Sequence, residues 1–299
     1  MTTWPQPFDL AATLTCGQCF RWKRNADGSF SGVAGGRMLT VSPQSPGDAL
    51  GDPFWRRYFD LESDYAAICA GLAAQNPVLA AALAEAPGVR ILRQDPWEAL
   101  CTFILSQNNN IPRITGIVER LCACFGDPLP GGGRSFPGPE RLAACSVEDL
   151  APLRCGFRAS YVLDAARRVA GGLSLEEIGR LPLAQARETL RQIRGVGPKV
   201  AECALLYGLH RLDAFPVDVW MNRAMASFFP GVQPETFGPY AGVAQQALFV
   251  YSRNHPELLR EPARGAAKKR KAENIFENSF PNEQKCSIIS IDSNIKLIE

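Results

Sequence analysis

The stretch "LRQIRGVGPKVAECALLYGL" (190–209) constrains the fold more than any other part of the chain. Apolar residues at helical spacing end near Ile193, Gly195-Val196-Gly197 makes a tight turn, and Pro198 at a first helical position starts a second helix. Two helices hinged this closely must pack as a hairpin. The glycines also let backbone N–H groups face outward, so Gly195 and Gly197 are expected to form an anion cradle suited to a DNA phosphate. Alone, the pattern is only moderately specific, because non-catalytic DNA-binding modules use the same hairpin.

Lys199 falls in the first turn of the second helix and is the single lysine between Lys23 and Lys268; every other cation in that interval is arginine. Arginine stays protonated in proteins, whereas lysine can supply a neutral, nucleophilic amine. The first turn of a helix opposes a cation, which favours the neutral amine and costs some stability. A compositional bias toward arginine with one survivor is the bland alternative, and the address of Lys199 argues against it. In "AFPVDVWMNRAM" (214–225), Pro216 is expected to start another helix with Asp218 in its first turn, where the dipole stabilises a carboxylate. Taken alone, Asp218 is an N-cap. Hairpin, lysine and then Pro-Val-Asp, with Asp218 19 positions after Lys199, form a far narrower pattern.

The rest of the chain supplies the frame. Residues 8–42 are expected to form short strands: "CFRWK" and "FSGVA" flank the Asp27-Gly28 turn, and "RMLTV" follows Gly35-Gly36. Phe54 to Ala86 has a helical, alanine-rich pattern, after which "GVRIL" (88–92) is expected to return as a strand. From Asp95 onward the pattern is a succession of helices, with Asp95-Pro96 an N-cap followed by proline and Pro112 opening another helix. The glycines of "GDPLPGGGRSFPGPE" lack the Gly-Lys-Ser/Thr of a phosphate loop, so nucleotide binding has little support. With 46% hydrophobic and 21% charged residues, and nothing approaching 18 consecutive apolar residues, the chain is that of a soluble globular protein without a membrane span. A net charge of +2 neither proves nor excludes a nucleic-acid partner.

Cys16 and Cys19 in "TCGQCFRW" (15–22) have the spacing of half a zinc site or a redox dithiol. No second pair with knuckle spacing accompanies them, and the strand-to-helix setting of a redox centre is missing, so neither metal nor cofactor is expected. The ten cysteines are scattered, as suits a compartment that keeps thiols reduced.

With its hairpin, Lys199 and Asp218, the chain resembles the helix-hairpin-helix DNA glycosylase superfamily, whose lysine-bearing members cleave the base and also nick the strand. "GQCFRW" (17–22), "GVRILRQDPWE" (88–98), "SQNNNIPRITGIVERLCACFG" (106–126), "GFRASYV" (156–162) and "QQALF" (245–249) narrow the resemblance to the 8-oxoguanine DNA glycosylases, in order over roughly residues 7–260. The resemblance implies that Asn108, Arg113 and Arg158 grip the cytosine left behind when the lesion flips out. Without it, each is as readily a surface polar residue. Arg113 follows Pro112 at a helix N-terminus, a poor site for a cation unless an acceptor arrives there. Phe157 resembles the wedge that fills the stack; tyrosine is frequent there, but an apolar ring can also unstack bases.

The flipped base needs a slot with two walls. Cys203, one turn after Lys199 on the same face, and Phe249 resemble them, although both would otherwise pass as core residues. Gln245, one turn before Phe249, would bond the pairing edge of the base. Gly17 and Gln18 resemble the lesion reader: 8-oxoguanine carries a hydrogen on N7 where guanine has a lone pair, and a Gly17 carbonyl could accept it. The one departure is Trp220, where better-known members carry histidine after Val-Asp-Val; its indole N–H can donate to a phosphate but cannot carry charge.

These residues predict an α+β protein: an N-terminal antiparallel sheet domain with helices (1–93), a helical helix-hairpin-helix glycosylase domain (94–262), and a flexible tail (263–299) whose Lys268, Lys269, Arg270 and Lys271 are a solvated cluster or a nuclear address. The resemblance implies a monomeric, bifunctional glycosylase and lyase acting inside the cell on duplex DNA with 8-oxoguanine opposite cytosine. It implies attack of Lys199 on the sugar C1′, assisted by Asp218 as base or as stabiliser of positive charge. The rivals are enzymes for adenine mispairs or alkylated purines and a DNA-binding module without catalysis. Adenine-removing members generally lack this lysine and carry a cysteine cluster after the hairpin, where this chain has only Cys203 and Cys286 from residue 190 onward. Alkylpurine members tend to have an aromatic residue in place of the lysine.

Overall fold

The computed structural model describes residues 3–259; the expected tail and its basic run lie outside them. Three strands form an antiparallel sheet in sequence order, β1 (Trp22–Arg24), β2 (Phe30–Ala34) and β3 (Arg37–Val41). The β1–β2 turn is fastened by Asp27, whose carboxylate accepts from the Ser29 N–H at 2.9 Å, and Gly28 takes the positive φ of +83° that the turn needs. Trp22 pairs with Gly32, and the absent side chain there lets the indole lie across the strand.

Thirteen helices make up the rest of the described chain: α1 (Leu10–Thr15), α2 (Pro53–Tyr58), α3 (Tyr65–Ala73), α4 (Pro77–Glu85), α5 (Pro96–Leu105), α6 (Ile111–Phe125) and α7 (Pro139–Ala143), then α8 (Arg158–Ala170), α9 (Leu175–Arg180), α10 (Leu183–Arg191), α11 (Pro198–Cys203), α12 (Val219–Phe228) and α13 (Ala241–Asn254). Many starts follow one rule. Asp52, Asn76 and Asp95 each accept a hydrogen bond from the first turn and are followed by proline, whose missing N–H is no loss there.

Two apolar cores result. Trp4, Phe8, Leu10, Leu14, Phe30, Val41, Trp55 and Phe59 fill the space between the sheet, α1 and α2. The larger core joins α5, α6, α8, α11 and α13, and it also takes Tyr65, Ile68, Leu72, Leu79 and Leu83 from α3 and α4. The alanine-rich helices therefore divide: α2 serves the sheet, whereas α3 and α4 serve the helical core.

Two local expectations are corrected. Leu10–Thr15 is a helix capped by Asp9, not part of a strand region; six residues are too few for a helical period to show. The segment 88–92 is buried but forms no strand, because side chains take the place of a ladder. The Arg90, Ile91 and Leu92 N–H groups donate to Thr13 Oγ1, Tyr65 Oη and Gln18 Oε1 at 3.2, 2.9 and 2.9 Å.

Candidate active site

Lys199 stands in the first turn of α11, half-buried, with Nζ 3.3 Å from Ser106 Oγ just past α5 and 5.2 Å from the centroid of the Phe103 ring. It makes no ion pair among the described residues. Gly195 holds a φ of +81°, and any side chain there would collide with the Tyr161 ring, so the hairpin turn is packed on α8. Gly197 faces open space, where an anion can approach the backbone.

Asp218 is the N-cap of α12 rather than a first-turn residue; the helix begins at Val219, and Pro216 belongs to the extended segment before it. One carboxylate oxygen accepts from the Met221 N–H at 2.7 Å, so capping fixes the group while leaving its other oxygen outside that bond. The extended segment is itself anchored: the Phe215 N–H donates to Glu202 on α11 at 2.8 Å, and Glu202 also pairs with Arg187 on α10. Hairpin and aspartate are thus one rigid assembly.

Cys203 lies one turn after Lys199 and is fully buried. Burial pushes its thiol pKa up, opposed by the Lys199 charge and reinforced by that of Asp218. Across α13, Gln245 is buried and accepts from the Tyr207 hydroxyl at 3.4 Å, while Phe249 is half-buried with Arg253 5.6 Å over its ring.

Gly17 has a φ of +88°, and a Cβ there would touch Ile111 Cδ1 at 3.4 Å, so the reader turn abuts the start of α6. Gln18 is placed differently from a base contact. Its amide is fully buried, donating to Thr13 O and Arg90 O at 2.9 and 2.8 Å and accepting from Leu92 N–H. All of its reach goes into the protein, so its part is to fix the turn that presents Gly17. Cys16 and Cys19 hydrogen-bond to Thr13 O and Leu14 O. Burial pushes the Cys16 thiol up to about 11 and raises that of Cys19, which keeps both as neutral framing.

Asn108, Arg113 and Arg158 divide by exposure. Asn108 is exposed with a φ of +46°, and Arg113 is exposed and makes no side-chain hydrogen bond among the described residues. Arg158 is only 4% exposed. Its guanidinium donates to the carbonyls of Gln107, Asn108 and Cys155, and lies 4.5 Å over the Phe157 ring. Burial, then the charge of Arg113, pulls its pKa below the ordinary arginine value. Neither guanidinium pairs with a carboxylate among the described residues, which suits a ligand rich in acceptors. Phe157 is 53% exposed beside them, at the start of α8, and a cleft of about 370 Å³ lined by Arg113, Leu150, Arg154 and Cys155 opens alongside.

Trp220 is also corrected. Its indole N–H donates inward to Ser252 Oγ at 2.9 Å and is unavailable to a phosphate in this conformation. What it presents is a ring face, with the guanidinium carbons of Arg223 and Arg253 at 5.3 and 6.0 Å. Any charge offered at this place comes from those arginines.

Ser106, Tyr207 and Glu202 escaped notice in the sequence, although all three lie inside stretches already singled out. Their partners are 13 to 93 residues away, beyond any local spacing rule.

Known families account for both halves of this arrangement. Residues 2–100 match the model of the 8-oxoguanine DNA glycosylase N-terminal domain, and residues 101–233 match that of the HhH-GPD superfamily base excision DNA repair protein. The chain is 31% identical over 284 residues to N-glycosylase/DNA lyase OGG1 of Arabidopsis thaliana, covering 81% of this chain and 76% of the plant protein. Its fold matches that of MBOgg1 in complex with a low-affinity DNA ligand, with a TM-score of 0.75, 40% identity and coverage of 83% and 93% of the two chains. It matches Clostridium acetobutylicum 8-oxoguanine glycosylase/lyase, bound to duplex DNA with cytosine opposite 8-oxoG, equally well: TM-score 0.75, 34% identity, 83% and 93% coverage. The chain belongs to the 8-oxoguanine DNA glycosylase family.

Proposed function

We propose that this protein is a bifunctional repair enzyme that flips 8-oxoguanine out of duplex DNA opposite cytosine, excises it and nicks the strand. The observation that carries the reading is the Lys199 amine, free of any ion pair among the described residues and held by Ser106 and the Phe103 ring in the first turn after the Gly195–Gly197 hairpin. The names of the relatives point the same way, as does the cytosine-containing complex of the Clostridium enzyme.

The target atom is unreachable in the stack, so the nucleotide must be extruded. Phe157 takes its place, while Asn108, Arg113 and Arg158 hold the estranged cytosine. The base enters between Cys203 and Phe249, with Gln245 on its pairing edge and the Gly17 carbonyl accepting N7–H. The Lys199 amine attacks C1′, the bond to the base breaks, and the sugar opens to a Schiff base on Nζ. Loss of a C2′ proton then expels the 3′ phosphate by β-elimination. Asp218, held by its cap bond, stabilises the positive charge that develops on the sugar. With a sheet domain over 1–93 and a helical domain over 94–262, although α3 and α4 pack on the helical core, the base lies between the Gly17 turn of the first and the hairpin of the second. The protein acts as a monomer, inside the cell, on its DNA.

The test is incubation of the full chain with duplexes carrying a panel of damaged bases, with borohydride added to trap the Schiff base. An 8-oxoguanine duplex should give a covalent adduct with the wild type and none with Lys199→Gln, which should still bind DNA. An undiminished adduct in that variant would assign the chemistry elsewhere.

A further inference from the structure

Gln94 lies in the connection between the two cores, outside every group assigned above. Its side-chain amide donates both hydrogens to backbone carbonyls of distant segments: to Gln18 O at 2.7 Å, in the reader turn, and to Tyr207 O at 3.3 Å, in a π-type turn (Ala204–Gly208) that continues α11. The carbonyls of a helix's last turn lack partners within the helix, and Gln94 supplies a donor to one of them from the other side of the site.

Tyr207 passes this placement on. Its ring stacks on Phe103 with centroids 5.1 Å apart and planes 22° from parallel. The Lys199 amine lies over that same Phe103 ring, and the Tyr207 hydroxyl reaches Gln246 and Gln245 at 2.9 and 3.4 Å. At the far end of the turn, His210 Nε2 is 3.2 Å from Ile91 O and 3.3 Å from the buried Asp60 carboxylate. Residues 90–94 therefore hold the reader turn through Gln18 and the end of the lysine-bearing helix through Tyr207 and His210.

We propose that Gln94 is a positioning residue that sets the distance between the Gly17 carbonyl and Lys199, so that a base seated against the reader brings its C1′ onto the amine. The inference rests on the proposed 8-oxoguanine chemistry. It makes the amide of Gln94 matter only when a base must be registered against both parts at once. An abasic sugar has no base to seat and needs only the lysine.

The test compares single-turnover excision of 8-oxoguanine with cleavage of a preformed abasic site by the full chain. Gln94→Met, similar in length but without donors, should slow excision about tenfold or more, since small misplacements of reacting groups carry large rate penalties. Abasic-site cleavage should stay within about twofold of the wild type, while the melting temperature falls by several degrees because two backbone carbonyls lose their donor. Gln94→Asn keeps an amide able to satisfy one carbonyl but too short to bridge both, and should show the same split with less disturbance to folding. Unchanged excision in Gln94→Asn, or equal loss in both reactions, would overturn the inference. If the wild type cleaves abasic sites but leaves 8-oxoguanine untouched, the proposed substrate fails instead, before either variant is compared.

Discussion

Lys199 donates from Nζ to the Ser106 hydroxyl across 3.3 Å, and that hydroxyl donates in turn to the Phe103 carbonyl at 2.8 Å. Because the Ser106 hydrogen is committed to Phe103, its oxygen lone pairs face the amine. On the proposed mechanism, the pair orients the attacking amine without taking part in the bond changes. Ser106→Ala should therefore slow excision by only about 2- to 12-fold, the equivalent of one hydrogen bond of about 0.5–1.5 kcal/mol. Affinity for an abasic-site duplex should not change. A loss beyond about a hundredfold, some 2.7 kcal/mol, would mean that Ser106 moves a proton.

Arg113 and Arg158 should separate in a way their similar sequence settings do not suggest. The Arg113 guanidinium is exposed and makes no hydrogen bond among the described residues, so Arg113→Ala should leave stability alone and narrow the preference for cytosine over adenine by about 1–3 kcal/mol of discrimination. Arg158 holds three backbone carbonyls. Arg158→Ala should lower the melting temperature as well, because stranded buried acceptors cost about 1–3 kcal/mol each. If both variants melt like the wild type and keep its opposite-base ratios, the assignment of this pair is wrong.

Much of this was legible in the sequence because its signals are local. The three strands are bounded by Asp27-Gly28 and Gly35-Gly36, α5 by Asp95-Pro96, and the hairpin by Gly195 and Pro198; each is set by residues within a turn of the boundary. What escaped depends on distant partners. The segment 88–92 is rich in β-branched and apolar residues but meets side-chain acceptors instead of a strand. The direction of the Trp220 N–H is decided by Ser252, 32 residues later, and the burial of Gln18 by Arg90 and Leu92. For the site, residue identity could be matched position by position, whereas the orientation of each polar group could not. Asp218 shows both sides: its place at the start of a helix was legible, whereas its bond to the Met221 N–H is set by the structure.

Glu98 introduces a pH dependence outside the chemistry. Burial pushes its carboxyl up to about 7 from 4.5, with Arg21 at 3.3 Å opposing the shift. A carboxyl with a raised folded-state pKa binds its proton more tightly in the native protein. Its contribution is thus fully present below pH 4.5 and is lost as pH rises toward about 7. Glu98→Gln removes the titration while keeping an acceptor for Arg21. The stability of the wild type relative to this variant should fall between those pH values, by at most about 3 kcal/mol, and level off above. Denaturant midpoints at several pH values measure it, and a parallel pair of curves would show that Glu98 stays ionised throughout.

The reader turn permits the sharpest separation of roles. Gly17 sits at a φ of +88°, where an L-residue is strained by about 1–2 kcal/mol, and its Cβ would touch Ile111. Gly17→Ala should therefore displace the carbonyl proposed to accept N7–H. Excision of 8-oxoguanine should slow far more than binding to an abasic-site duplex weakens, since that duplex presents no base to read. An unmatched polar group in the closed slot adds about 1–3 kcal/mol to the loss. Cys16→Ser and Cys19→Ser should retain excision apart from modest packing losses, because each thiol is held neutral against a carbonyl of α1. Chelators should have no effect. Stoichiometric zinc, or activity abolished by replacing both cysteines while Gly17→Ala is harmless, would make the turn a metal or thiol site instead of a reader.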